Sequence, residues 1–227
     1  MRPLMSYHPP PLRLLYEAHR ILSHEQHLSE MDAYKSLLEI LGGLLKFCPL
    51  KREISAVKEK LIPLLRQSVS IALSEGKAHD YLGDLLDLCE GGKHEGQFLT
   101  PHTVVEMMTE MTIMSSQDGP LYVLDPCCGT GRFGLAALKK DARVLMYSVD
   151  IDPWMCRATL INFLLYFPQR RWFVLCADSL VMDLNPSSPN WRFANRWMPV
   201  DRKELILTAR PDENFPLMKN LVGKAYP

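Results

Sequence analysis

Apolar residues recur at helical spacing through the first third of the chain. Leu12, Leu15, Ala18, His19 and Leu22 fall on one face, as do Leu37, Leu38, Leu41, Leu44 and Leu45. Ile54, Val57, Leu61, Leu64 and Leu65 continue the pattern, followed by Val69, Ala72 and Leu73. Residues 12–89 are therefore predicted to be helices, with Pro63 ending or kinking the third, because proline lacks the N–H and crowds the preceding turn. From Gly96 the pattern changes to strand–helix alternation. Leu121–Leu124, Val144–Val149, Trp172–Cys176 and Leu205–Leu207 read as strands; Val104–Met114, Leu135–Lys139 and Met155–Phe163 read as helices. Alternation of this kind predicts a parallel sheet. Glu90-Gly91-Gly92-Lys93 is the natural break, which gives a helical region at 1–90 and an α/β domain at 91–227. The helical region is expected to cap one edge of the sheet, with a partner-binding surface as the alternative. The methionines of the Val104–Met114 helix are expected to fill core.

Composition fits a folded chain. Of 227 residues, 47% are apolar, enough for a real core. No run approaches the roughly 20 apolar residues of a membrane helix. The N-terminus MRPLMSYHPPP has no apolar segment of the secretory kind. Six cysteines without framework spacing suggest reduced thiols in a cytoplasmic compartment. Lys plus Arg balance Asp plus Glu at 26 each, so charge gives no support to stand-alone DNA binding, nor does it exclude it. His19, His24 and His27 do not share one helix face well, and no metal site is expected from spacing. Gln169-Arg170-Arg171-Trp172 reads as a turn before a strand with solvated arginines.

The chemistry concentrates in VLDPCCGTGRFG, Val123 to Gly134. An apolar strand ends in Asp125-Pro126, a glycine turn follows, and a helix opens at once. This leaves backbone N–H groups at a helix N-terminus for an anionic group. Gly129 and Gly131 remove side chains that would block close approach, and Gly134 permits tight helix–strand packing. The three glycines fit G-x-G-x-x-G, and Asp150 closes the next strand nineteen residues past Gly131. An acid there suits ribose hydroxyls in either an NAD or an S-adenosylmethionine (SAM) site. The Asp-Pro before the glycines and the upstream Gly96-Gln97-Phe98-Leu99-Thr100-Pro101 favour SAM.

GQFLTP, DPCCGTG, VDIDP and ADSL, in that order, resemble the amino-methyltransferases that modify DNA, above all modification subunits of type I restriction systems and related adenine-N6 methylases. The resemblance runs from His79 to Leu180. It implies a SAM-dependent methyltransferase-like Rossmann sheet preceded by an all-α region, with SAM as cofactor. It places Phe98, Thr100 and Asp125, with Pro126, at the methionine end, Gly129 and Gly131 in the turn, Asp150 on the ribose, Ile151 on the adenine, Asp178 on the adenine amino group and Leu180 as an apolar wall. A carboxylate only accepts hydrogen bonds, so it suits a diol or an amino donor. The plainer readings are helix N-caps for Asp125 and Asp178, a helix start at Thr100-Pro101 with Thr100 as cap, and small packing residues for Cys127 and Cys128.

The family also requires an Asn/Asp-Pro-Pro-aromatic motif after its fourth strand, where side-chain and main-chain acceptors draw the amino lone pair toward the methyl and the aromatic stacks on the flipped base. After Glu204–Thr208 this chain has Ala209-Arg210-Pro211-Asp212, which lacks the acceptor and the aromatic and adds a positive charge. Asn185-Pro186-Ser187-Ser188 follows Asp178 too closely and reads as a turn. Only fifteen residues follow Asp212, so a recognition domain is not expected. The expectation is a SAM-binding methylase relative with no catalytic residues of its own, impaired alone, acting with DNA or a DNA-modification subunit. The alternatives are an active subunit completed by a second chain, a non-catalytic interaction module, and, least supported, an NAD-dependent enzyme.

Overall fold

Seven helices and three strands make up the residues described by the computed structural model, which are 7–45, 55–90, 98–113 and 119–180. The predicted strand at Leu205–Leu207, the Ala209–Asp212 and Asn185–Ser188 segments, Ile54, Gly91–Lys93, Gly96, Gln97 and Met114 lie outside them.

The N-terminal helices are α1 (Pro10–Glu25), α2 (Glu30–Leu44), α3 (Ser55–Ser74) and α4 (Tyr81–Glu90). Leu12, Leu15, Ala18 and Leu22 of α1, on the stripe the spacing predicts, are all buried. Helix α3 runs through Pro63 rather than ending there. Leu61 and Leu65 on either side are fully buried, and that packing outweighs the one ladder bond proline cannot make.

The α/β part follows as α5 (His102–Thr112), β1 (Leu121–Asp125), α6 (Arg132–Lys140), β2 (Val144–Asp150), α7 (Pro153–Tyr166) and β3 (Arg171–Cys176). The strands form a parallel sheet in the order β1-β2-β3, with Asp125 opposite Ser148 and Asp150 opposite Cys176. Parallel pairing brings all three carboxyl ends to the same edge, where ligands bind in open α/β sheets. Helices α6 and α7 pack on one face through Leu135, Leu138, Leu160 and Phe163 against Met146, Trp172 and Val174. Tyr122 and Leu124, on the other face of β1, are exposed.

The helical region packs on α7, not on a sheet edge as expected. Met155, Ala158 and Ile161 of α7 belong to the core of α1–α4, while Cys156, Leu160 and Phe163 belong to the sheet core. Helix α7 has no single apolar face because it is covered on two sides. The methionines of α5 also depart from expectation. Val105 and Thr109 are buried, but Val104, Met107, Met108 and Met111 form an exposed apolar stripe at helical spacing. Their periodicity identifies a face without identifying what covers it. No helix among the described residues is long and apolar enough to cross a membrane.

Candidate functional site

The glycine turn lies over the ends of β1 and β2. Gly129 has φ 53° and Gly131 φ 89°, left-handed backbone that suits glycine, and Gly131 is the N-cap of α6. The turn is pinned from several directions. The Gly129 N–H donates to Asp150 Oδ2 at 2.8 Å, and Thr159 Oγ1 donates to the Gly129 carbonyl at 2.8 Å. A Cβ on Gly129 would sit 3.1 Å from the Leu99 side chain, so the Phe98–Pro101 segment reaches the turn through Leu99. Gly134 faces a helix more closely than a strand: a Cβ there would fall 2.4 Å from Phe163 Cζ in α7 and 3.4 Å from Met146 Cε in β2.

Two carboxylates stand at the strand ends. Asp125 Oδ1 accepts from the Cys127 N–H at 3.2 Å. It closes a local turn and caps no helix, since α6 begins seven residues later. Burial, offset in part by that bond and reinforced by the Asp150 charge, pushes the Asp125 carboxyl up to about 6. Asp150 accepts backbone N–H groups from Gly129 on Oδ2, from Asp152 on Oδ1 at 2.9 Å, and from Ile151. Its pKa is raised by burial, against those backbone bonds. A carboxylate has about four acceptor sites, so capacity remains for a hydroxyl donor.

Around this pair the sequence-predicted residues divide. Ile151 and Leu180 are exposed at the same sheet edge, and Asp178 closes its own turn by accepting from the Leu180 N–H at 3.0 Å. Pro126 is exposed. Phe98 and Thr100 are exposed too, and the Thr100 contact is its carbonyl, which accepts from Arg132 Nη1 at 3.1 Å. Thr100 does not cap α5; Pro101 holds that position without a side-chain bond. Of the two adjacent cysteines only Cys128 is buried, with Sγ 3.5 Å from Thr159 Oγ1, while Cys127 is exposed.

The residues that fix the turn's position are ones that motif reading missed. Asp80 is 1% exposed, and its carboxylate accepts from four donors: the Gly83 N–H at 2.9 Å, Asn162 Nδ2 at 2.7 Å, Thr130 Oγ1 at 2.5 Å and Arg132 Nε at 2.9 Å. Gly83 must be glycine here, because a Cβ would fall 2.0 Å from Asp80 Oδ2. Arg132 Nη2 also donates to Asp84 at 2.9 Å and Asp87 at 3.0 Å. Burial works against the Arg132 charge, but Asp80 and Asp84 outweigh it and its pKa is raised. Asp84 receives His79 Nε2 at 2.6 Å and His102 Nε2 at 2.9 Å. Burial opposes its ionisation, yet these two bonds hold its carboxyl well below the usual range. The bond to Asp84 likewise raises His79, against burial. One network thus ties α4, α5, α6 and α7 to the glycine turn. A separate cleft of about 560 Å³ between α5 and α6 is lined by Arg132, His102, Lys139 and Lys140 with Glu106 and Glu110, and contains none of the strand-end residues.

Residues 78–189 match the family model for N-6 DNA methylases. A solved structure from Listeria monocytogenes, described as a candidate class I S-adenosylmethionine-dependent methyltransferase, is similar with a TM-score of 0.56 at 19% identity, over 89% of this chain and 70% of that one. At that identity the likeness shows the fold, which is the class I methyltransferase fold. A comparison with curated proteins gives no match.

Proposed function

We propose, from the match of residues 78–189 to the N-6 DNA methylase family model, that this chain binds SAM at the β1–β2 edge and is impaired in methyl transfer when alone. The observation that carries the reading is Asp150. Its carboxylate closes the turn through the Gly129 and Asp152 N–H groups, keeps acceptor capacity, and lies beside the exposed Ile151. That fits a ribose diol with an adenine ring next to it. Asp125 at the end of β1 suits the cationic methionine end. Phe98 and Leu180 are exposed and accessible to the ligand, and Asp178 retains acceptor capacity for an amino group. When bound, SAM supplies a methyl group on a sulfonium. The residues here orient it and screen it, and the acceptor for a target amino group is what Ala209-Arg210-Pro211-Asp212 lacks.

The experiment is calorimetric titration with SAM, its demethylated product and NAD, paired with a tritiated-methyl assay on unmethylated duplex DNA. Saturable binding of SAM but not NAD is expected, with incorporation no higher than in a DNA-free control. Clear turnover overturns the impairment; failure to bind SAM overturns the reading as a whole. The second reading, a subunit of a restriction-modification assembly completed by another chain, draws on the exposed stripe of Val104, Met107, Met108 and Met111. Turnover that appears only with a co-purified recognition subunit would favour it.

Asp125 makes the binding pH-dependent. With a carboxyl near 6, it is neutral at pH 5 and ionised at pH 7. SAM affinity is expected to rise with pH through 6 and then level, falling toward about tenfold per pH unit on the acid side. Folding stability takes the opposite sign: a raised carboxyl pKa contributes stability below about 4 that is lost as pH rises through 6. Asp125→Asn is expected to flatten both profiles. An unchanged SAM profile in that variant would assign the titration to another group.

A further inference from the structure

Helices α1, α2 and α4 bring together three metal-ligating side chains that the methylase reading does not use: His19, Glu30 and Cys89. His19 is fully buried, and its Nε2 lies 2.8 Å from the backbone carbonyl of Glu30. A carbonyl can only accept, so in the neutral ring Nε2 carries the proton and Nδ1 presents a lone pair. Nδ1 faces Cys89 Sγ at 3.4 Å and Glu30 Oε2 at 3.6 Å, and the three ligand atoms all lie within 4.8 Å of one another. Tetrahedral zinc, with bonds of about 2.3 Å to sulfur and about 2.1 Å to nitrogen and oxygen, needs S···N near 3.6 Å and N···O near 3.4 Å. The two separations from Nδ1 differ from these by a few tenths of an ångström. Donation by the second ring nitrogen to a carbonyl is the usual support for a metal-bound histidine.

We propose that His19 Nδ1, Glu30 and Cys89 bind a zinc ion, with water at the fourth position. The Cys89 thiol loses its proton to solvent as the sulfur–metal bond forms, and thiolate plus carboxylate neutralise the two positive charges. The other histidine cluster, His79–Asp84–His102, is chemically different. There both Nε2 atoms point at the Asp84 carboxylate, and the Arg132 guanidinium lies 2.9 Å from its Oδ1. Hydrogens and a cation stand where a metal needs lone pairs. The zinc at Cys89 clamps the C-terminal end of α4 to α1 and α2, while Asp80 anchors its N-terminal end to the glycine turn. Helix α4 is thereby held at both ends, to α1 and α2 at one and to the glycine turn at the other.

The test uses the full chain, stripped with chelator and titrated with Co²⁺ alone. One equivalent is expected to give a thiolate-to-cobalt charge-transfer band in the near ultraviolet, displaced by Zn²⁺. Cys89→Ser should abolish the band. Glu30→Gln, at an exposed side chain, should weaken binding at least tenfold, and Cys127→Ser, at the exposed thiol elsewhere, should leave it unchanged. Zn²⁺ should raise the thermal midpoint of the parent and not of Cys89→Ser. Absence of a band in the parent, or a band that survives Cys89→Ser, overturns the site. His19 is left intact because its burial makes a variant there a test of folding instead.

Discussion

Replacing Asp80 by asparagine is expected to cost about 3–5 kcal/mol of folding free energy, a large share of the roughly 5–15 kcal/mol that holds a domain together. The carboxylate uses all four of its acceptor sites on Gly83, Asn162, Thr130 and Arg132. An amide puts two hydrogens where two of those donors already point, and it leaves the buried Arg132 with a weaker partner. Asp84 and Asp87 retain Arg132, which keeps the cost below that of stranding a lone charge. Urea unfolding of the parent, Asp80→Asn, Arg132→Gln and the double variant separates network from local strain. The double variant should lose clearly less than the sum of the singles, because residues sharing one buried network are coupled. Strict additivity would mean that the Asp80–Arg132 bond contributes nothing specific, and that α4 and the glycine turn are joined by packing alone.

That network also marks where sequence reading reached its limit. Strands β1, β2 and β3 were legible because continuous apolar runs between glycine and proline breaks have few alternatives, and the order of four motifs identified the edge at which Asp125 and Asp150 meet. Those motifs name residues of the glycine turn and the strand ends. They say nothing of the residues that hold the turn from behind, whose partners lie some fifty positions away in Asp80 and about thirty in Thr159 and Asn162. A signal was nonetheless present: Asp80, Asp84 and Asp87 recur at i, i+4 and i+7 in an otherwise apolar segment, and Arg132 opens a helix in the middle of a buried turn. An acidic stripe on one helix and a lone arginine on another are a pairing hypothesis. The exposed methionines of α5 show the converse, since periodicity reports an apolar face but not its partner. Pro63 shows that a local breaker yields when leucines on both sides are buried.

Asp150→Ala is expected to lower SAM affinity by at least a hundredfold. Two hydrogen bonds from a diol to a charged acceptor contribute about 1.5–3 kcal/mol each, so their loss amounts to two to four powers of ten. A second effect compounds it. The same carboxylate holds the Gly129 N–H at 2.8 Å and the Asp152 N–H at 2.9 Å, and removing it unpins the turn that shapes the site. Asp150→Asn separates the two contributions. It keeps one acceptor and the side-chain volume but presents an amide hydrogen to one hydroxyl or one backbone N–H, so an intermediate loss is expected. The far-ultraviolet circular dichroism of both variants should match the parent, because β2 and its pairing do not depend on this side chain. If Asp150→Ala bound SAM as the parent does, the diol would lie elsewhere and Asp150 would be a turn-closing residue alone. If neither parent nor variant bound it, the strand-end edge would be architecture, and attention would shift to the apolar stripe on α5 as the surface through which the chain acts.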